Sequence, residues 1–160
     1  MSKTFVENFG IATALAPVDT TGAAAVGDWI SLKGYESVTI IITQGAWAGG
    51  TPAVTLDQAT LVNGTGTKTL GLLKYWSKVG LAAADFAETA VVSDTFNLPA
   101  TANTVTVMQV HASQLDVDGG FDCVQLDVAS PGANADLITA IYILNGARYP
   151  QAIVVDPVVD

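Results

Sequence analysis

Short apolar or alternating runs recur along the chain, and turn-forming residues separate them. The runs at 53–61, 103–112 and 121–129 alternate apolar and polar side chains, which is the period of a strand with one buried face. Gly, Pro, Asn and Asp cluster between the runs, as they do in turns. The pattern predicts about eight strands, at 29–32, 37–43, 53–61, 69–76, 90–98, 103–112, 121–129 and 137–144.

Eight short strands at this spacing are typical of an all-β protein. We therefore expect an antiparallel β-sandwich of jelly-roll type, because a jelly roll arranges eight antiparallel strands in two sheets. The sandwich domain is predicted at residues 28–147. Helix is limited to a short Ala-rich candidate at 80–89 and one turn at 112–116.

The two ends differ from the middle of the chain. Residues 1–27 are rich in Ala, Thr and Gly and lack strong periodicity, so we expect an extended N-terminal arm that docks on a neighbouring protein. Residues 148–160 form a Pro- and Val-rich tail that favours extended structure and is expected to dock or to fray. The apolar side chains proposed for protein contacts in these ends are Phe5, Phe9, Ile11, Ile153 and Val155.

The composition is apolar and poor in charge. Hydrophobic residues make up 50% of the chain and charged residues 13%, about half of the usual charged share of roughly 25%. Such a chain is too apolar for disorder and has few charges to solvate a free-standing surface. We therefore expect a homo-oligomer, with a trimer as the first hypothesis.

The charge balance argues against nucleic acid as a partner. The net charge is -9, and the six basic residues are scattered rather than clustered in a stripe. One cysteine cannot form an internal disulfide, and no apolar run reaches the roughly 18 residues of a membrane span. No signal peptide is evident, so the expectation is a soluble chain made in the cytoplasm that does not bind a membrane.

The stretch LDVDGGFDCVQLDV, residues 115–128, is the first candidate for chemistry. Asp116, Asp118 and Asp122 loosely imitate a calcium loop. Counted from Asp116, however, the sixth position holds Phe121 instead of glycine, and the twelfth holds Asp127 within an alternating strand. We therefore predict a turn at 116–120 and no metal site.

Nucleophilic catalysis is the second candidate. Cys123 and His111 lie within reach of each other if the strands that end and begin near them form a hairpin, and a Cys–His pair can act as nucleophile and base. The alternative is that Cys123 is a small buried side chain, which is the usual role of a free cysteine. No motif of a hydrolase, phosphate-binding loop or zinc protease is present, so neither an enzyme nor a cofactor is expected.

The tryptophans are the best candidates for binding. Trp47 lies in a Gly-rich segment, QGAWAGG, where a large ring has few local neighbours. It fits a protein interface or a sugar-stacking platform, or else it folds back over the edge of its own sandwich. Trp29 and Trp76 flank or end predicted strands and are expected in the core.

Three segments carry a resemblance to known proteins: GDWISLKGYESVTIIITQGA (27–46), LDVDGGFDCVQLDV (115–128) and YILNGARYPQA (142–152). They are similar to proteins encoded in the head genes of tailed bacteriophages and prophages. The resemblance covers roughly residues 20–152. It consists of short similar segments and does not include a motif with a known chemical mechanism. The chain looks most nearly like a capsid decoration (cement) protein, a small virion structural protein.

This resemblance implies a position on the outer capsid surface, often as trimers, where the protein clamps neighbouring major capsid subunits. It supplies no catalytic residues to carry over. The acidic charge, the low charge content and the apolar ends agree with such a role. Two alternatives remain: another virion component, such as a head fibre base or tail protein, and a carbohydrate-binding β-sandwich module.

Overall fold

The computed structural model describes residues 4–148, so the tail candidates Ile153 and Val155 lie outside the described residues. A four-residue helix, α1, precedes twelve strands, and a 3₁₀ turn covers Ala112–Gln114. The elements are α1 (Phe5–Asn8), β1 (Gly10–Asp19), β2 (Ala25–Val26), β3 (Ile30–Ser31), β4 (Ser37–Trp47), β5 (Ala53–Ala59), β6 (Lys68–Thr69), β7 (Lys74–Lys78), β8 (Ala87–Ala90), β9 (Thr95–Asn97), β10 (Thr104–His111), β11 (Cys123–Val128) and β12 (Asp136–Asn145).

The strands form two antiparallel sheets of six. The first sheet has the order β1-β12-β4-β10-β7-β8, and the second has β2-β11-β5-β6 with β3 and β9 pairing beside them. Along the chain, the path alternates between the two sheets, and the first and last strands are neighbours. This confirms the predicted all-β sandwich, and the wrapping is that of a jelly roll with β7 and β8 added at one edge.

Every predicted run overlaps an observed strand, but three strands were missed: β1, β2 and nearly all of β8. The helix expected at 80–89 is wrong, because no helix covers these residues and the segment ends in β8. There, pairing with β7 places Glu88 opposite Trp76, so tertiary pairing overrides the weak helix preference of an Ala-rich segment. The single turn at 112–116 is present as the 3₁₀ turn.

The N-terminal arm expected at 1–27 is wrong for most of its length. Residues Gly10–Asp19 form an edge strand of the first sheet, with Gly10 opposite Leu144 and Asp19 opposite Leu137. Ala14 and Leu15 of this strand belong to the buried core. Two register shifts interrupt the pairing with β12, and small alanines fill its inward positions. These features remove the alternation that would have revealed the strand.

The inner faces of the two sheets form one core. In β12 the inward residues are Ile138, Ala140, Tyr142 and Leu144, all at most 1% exposed. In β11 they are Val124, Leu126 and Val128, which are completely buried. The alternation in the run that contains β11 therefore predicted its core residues correctly, because side chains of a strand point to opposite faces in turn.

Tyr142 connects the two sheets through the core. Its side chain is fully buried, and its hydroxyl donates to the carbonyl of Asp28 at 3.0 Å. The same hydroxyl accepts from the backbone N–H of Leu126 in β11 at 2.9 Å. Burial raises the pKa of Tyr142, so the hydroxyl keeps its proton and both bonds at neutral pH.

Removing the Tyr142 hydroxyl should destabilise the fold. In Tyr142→Phe the Leu126 N–H and the Asp28 carbonyl lose this partner, and a buried polar group without one costs about 1–3 kcal/mol. We expect the free energy of unfolding, measured in urea, to fall by about that amount. Tyr75→Phe is the control, since the Tyr75 ring is only partly buried, against Phe96. Equal effects of the two substitutions would contradict the bridging role.

Two truncations should distinguish the contribution of α1 to stability from that of the edge strand β1. Residues 4–8 contain no buried side chain, whereas β1 contributes Ala12, Ala14 and Leu15 to the core. We expect removal of residues 1–9 to leave the thermal midpoint nearly unchanged. Removal of residues 1–20 should lower it by several degrees, since it exposes core side chains and the edge of β12. An unaltered midpoint after the longer deletion would show that β1 adds nothing to the fold.

Candidate interaction surfaces

The aspartate-rich stretch forms the predicted turn. The N–H of Gly119 donates to a side-chain oxygen of Asp116 at 3.0 Å, and the N–H of Phe121 donates to the Asp116 carbonyl, also at 3.0 Å. Gly120 has a φ of 81°, a conformation that favours glycine. The turn at 116–120 is thereby confirmed, and its first aspartate holds it together.

The same aspartate ties the turn to the second sheet. Its N–H donates to the Gln58 side chain at 2.9 Å, and its carboxylate forms an ion pair with Lys68. The Lys68 ammonium also lies 4.2 Å from the centre of the Phe121 ring. The hydrogen bonds from Lys68 and Gly119 lower the pKa of Asp116. These contacts give the carboxylate a structural role.

The structure separates Cys123 from His111. The strands β10 and β11 belong to different sheets, so the hairpin that would have paired the two residues does not form. Cys123 is 1% exposed, and burial, together with the Asp122 carboxylate, raises its thiol pKa to about 12. The thiol is therefore protonated at neutral pH and is a poor nucleophile.

Between residues 4 and 148, no three His, Cys, Asp or Glu side chains are grouped closely enough to hold a metal ion. No helix in that part of the chain has the length and hydrophobicity needed to cross a membrane.

None of the three tryptophans belongs to the buried core. Trp47 is partly buried, and its indole N–H donates to the carbonyl of Gly50 at 2.9 Å, so the ring is tied to its own loop. Trp29 and Trp76 are also partly buried, which makes the expectation of core positions wrong for both. Trp76 points away from the core on β7, with the Lys74 ammonium 4.9 Å from its ring.

The outward side of the first sheet is apolar over four neighbouring strands. We call it the outer sheet face. Ile141 and Ile11 are 38% and 44% exposed, and the remaining apolar members are partly exposed. Threonines fill most of the positions between them. The apolar members are Ile11, Ile41, Val105, Val107, Ile141 and Ile143.

The strand register aligns these side chains in rows. One row crosses the sheet through Thr13, Ile141, Ile41, Val107 and Trp76, each paired with the next. A second row begins with Ile11 opposite Ile143, and a third contains Val105. Cross-strand neighbours of this kind form a continuous surface rather than isolated apolar spots.

Charged side chains on this sheet lie at its margins, with Asp19 at the end of β1 on one side and three residues on the other. Lys74 and Lys78 lie on β7, and Glu88 lies on β8, where it accepts from Lys74 at 3.0 Å. A groove of about 310 Å³ at the same margin is lined by Leu73, Lys74, Trp76 and His111, among others. The centre of the outer sheet face is therefore uncharged, and charged side chains lie only toward its margins.

The outward side of the second sheet has the opposite character. Its central strands present Gln125 and Asp127 on β11 and Thr55 and Asp57 on β5. Gln125 and Asp57 lie opposite each other, as do Asp127 and Thr55. Burial raises the pKa of Asp127, and the nearby charge of Asp57 adds to this effect. We call this surface the acidic face.

The β7–β8 connection exposes further apolar side chains. Leu81 is 83% exposed, Phe86 is 49% exposed, and Val92, just after β8, is fully exposed. All four residues of β8 are exposed, and the strand pairs only with β7 among the described strands. We call residues 79–92 the apolar hairpin. It exposes hydrophobic side chains at both of its ends, with Leu81 and Phe86 on the side of the connecting segment and Val92 beyond the pairing of Ala90 with Lys74.

The structure disperses the interface residues predicted from sequence. Phe5 is 53% exposed and its ring stacks near that of Phe9, 4.6 Å between centres. Ile11 belongs to the outer sheet face, whereas Trp47 is bound into its loop. Sequence reasoning missed the rest of the outer sheet face and the apolar hairpin. The run LITAIYIL, apolar at nearly every position, was the available signal, because a strand with one solvated face should alternate.

A buried polar pair lies at the start of β12. The amide of Gln44 donates to both oxygens of the Asp136 carboxylate, at 2.9 and 3.1 Å, and both residues are buried. Burial raises the pKa of Asp136, and the charge of Asp19 adds to the rise, although the Gln44 bonds oppose it. The Gln44 side-chain oxygen is buried and has no partner in the described part of the chain.

Comparison with known proteins gives little. No protein-family model matches the chain, and no curated protein matches it. Among solved structures, the crystal structure of the SPBc2 prophage-derived protein YomS is similar, with 12% sequence identity and a TM-score of 0.47. The match covers 85% of this chain and 93% of that one. A likeness this weak carries no argument about function.

Substituting Asp136 should change how stability depends on pH. Its pKa is higher in the folded protein than in the unfolded chain, so its contribution is full below the unfolded pKa, about 3.9, and is lost as pH rises through the folded pKa. Asp136→Asn removes this dependence and supplies an amide that can donate to the Gln44 oxygen. We expect the free energy of unfolding of Asp136→Asn to fall less than that of wild type between about pH 4 and pH 7.

The control for this measurement is Asp118→Asn, on the exposed turn. Surface substitutions of this kind usually change stability by less than about 0.5 kcal/mol. If the free energy of unfolding of Asp136→Asn depends on pH in the same way as that of wild type, the buried carboxyl does not cause the loss of stability as pH rises.

Proposed function

We propose that this protein is a structural subunit of a phage particle, which binds the outer capsid surface and stabilises the head by bridging major capsid subunits. The observation that carries the proposal is the apolar hairpin, a hydrophobic projection that the sandwich itself does not need. The sequence resemblance of residues 27–46, 115–128 and 142–152 to phage head proteins supports the location.

The apolar hairpin has the properties of a contact element. Burying one large apolar side chain is worth roughly 1.5–3 kcal/mol, so covering Leu81, Phe86 and Val92 together is a substantial driving force for association. The edge strand β8 adds backbone groups on its free side, which can pair with an extended segment of another protein. Natural edge strands are usually protected, and β8 is protected only by its short length.

The acidic face suits the opposite side of a bound subunit. A protein on the outside of a capsid keeps one surface in solvent, and charged groups such as Asp57 and Asp127 favour that environment. The apolar hairpin belongs to the first sheet and the acidic face to the second, so the two properties lie on different parts of the molecule. This division supports attachment by one part and exposure of the other.

The test is co-sedimentation with purified capsids of the phage that encodes the chain, stripped of their decoration protein. Wild type should pellet with the capsids and raise their thermal stability. The triple variant Leu81→Asp, Phe86→Asp and Val92→Asp should bind at least about tenfold more weakly, since it places charge in a desolvated contact. Val26→Asp is the matched control, because Val26 is 65% exposed but belongs to the second sheet.

Two results would overturn the proposal. One is failure of wild type to bind any capsid. The other is undiminished binding of a folded triple variant, which would remove the apolar hairpin from the contact. Binding to a glycan array without capsid binding would favour the carbohydrate-binding alternative instead.

A further inference from the structure

We infer that the outer sheet face binds the same face of a second copy of this chain, so that two sandwiches pack sheet against sheet about a twofold axis. The inference is independent of capsid attachment, which the preceding proposal assigns to the apolar hairpin. It rests on the composition, the size and the charge distribution of the outer sheet face.

The composition of the face is that of a buried surface. Between β1 and β10 its outward positions hold mainly isoleucine, valine, threonine and glutamine, and the charged exception is Asp19 at the end of β1. An antiparallel sheet that faces water alternates apolar and polar residues, and β12 does not: its outward positions include Leu137, Ile141 and Ile143. The second sheet shows the expected contrast, since Asp57 and Asp127 occupy its outward side.

The size of the face matches what a stable pair needs. Its four strands, at a spacing of about 4.8 Å and each about ten residues long at roughly 3.3 Å per residue, cover on the order of 600 Å² per copy. Two such faces together bury roughly 1,200 Å², which reaches the lower end of specific interfaces. Facing sheets also pack well about 10 Å apart with strands nearly aligned.

Charge selects this face over the other broad face. Two copies meeting through their acidic faces would bring Asp57 and Asp127 against the same groups, in a chain whose net charge is -9. Two copies meeting through their outer sheet faces bring uncharged centres together. Like charges directly opposed across an interface cost several kcal/mol, so only one of the two broad faces permits self-association.

The margins are complementary as well. A twofold axis that runs along the central strands places the β1 margin of one copy over the β7 margin of the other. The β7 margin carries Lys74 and Lys78, and the β1 margin follows α1, which carries Glu7 beside the exposed Phe5 and Val6. The groove beside Trp76 and His111 therefore receives an apolar and acidic segment from the partner copy.

The first measurement is mass by light scattering across about 1–100 µM, the range in which interfaces of this size associate. We expect twice the monomer mass of 16.4 kDa. Ile41→Glu and Ile41→Lys should each raise the dissociation constant at least about tenfold, because each places like charges in the uncharged centre. An equimolar mixture of the two variants should restore pairing, which a merely misfolded variant could not do.

Ile141→Glu is a second variant at a more exposed position, for use if Ile41 substitutions prevent folding. Val26→Asp on the second sheet and the triple hairpin variant should retain the mass of a pair, so a failure of self-association is distinguishable from a failure of capsid binding. A monomer at every concentration overturns the inference. So does a trimer, or a pair whose dissociation constant is unchanged in folded Ile41 and Ile141 variants.

Discussion

The hydroxyl of Tyr142 joins the two sheets at a point where no strand pairing can do so. It lies on β12 of the first sheet, yet its partners are the N–H of Leu126 in β11 and the carbonyl of Asp28. Residues 27–29 separate β2 from β3, both of which pair with β11, so this backbone needs other hydrogen-bond partners. Gly27 permits the close approach, since a Cβ there would lie 2.5 Å from the Leu126 carbonyl oxygen. The Tyr142 side chain therefore adds hydrogen bonds between the sheets to the shared apolar core and to the bond from the Asp28 N–H to the Ala14 carbonyl.

The apolar residues that point inward from both sheets form the shared core. The residues that point outward differ between the two sheets. The first sheet retains isoleucine and valine outside, and the second retains aspartate and glutamine. A single protein in solvent gains nothing from an uncovered apolar sheet, because burial of such surface is the main favourable term in folding and in association. The unequal faces are the basis of the two proposed contacts, one with the capsid and one with a second copy of the chain.

Only some features of the candidate sites could be predicted from the sequence. The turn at 116–120 was predictable because aspartate and glycine specify its backbone locally. The pairing of Cys123 with His111 depended on whether β10 and β11 are neighbours, and local pattern does not determine that. The exposure of Leu81, Phe86 and Val92 was not predictable for the same reason. The local sequence of an apolar segment does not show whether another part of the fold covers it.

The sequence by itself determined the fold class, most of the strands and the inward residues of β11, because side chains alternate along a strand and this period is visible in one chain. It did not reveal β1, whose register shifts and small alanines interrupt the period. Only the tertiary structure decided which strands are neighbours, that Trp47 turns back on Gly50, and that the outward residues of four strands align into one apolar surface. Those features arise from pairings between residues far apart in the chain, such as Ile41 with Ile141, and such pairings depend on how the strands wrap rather than on any local pattern.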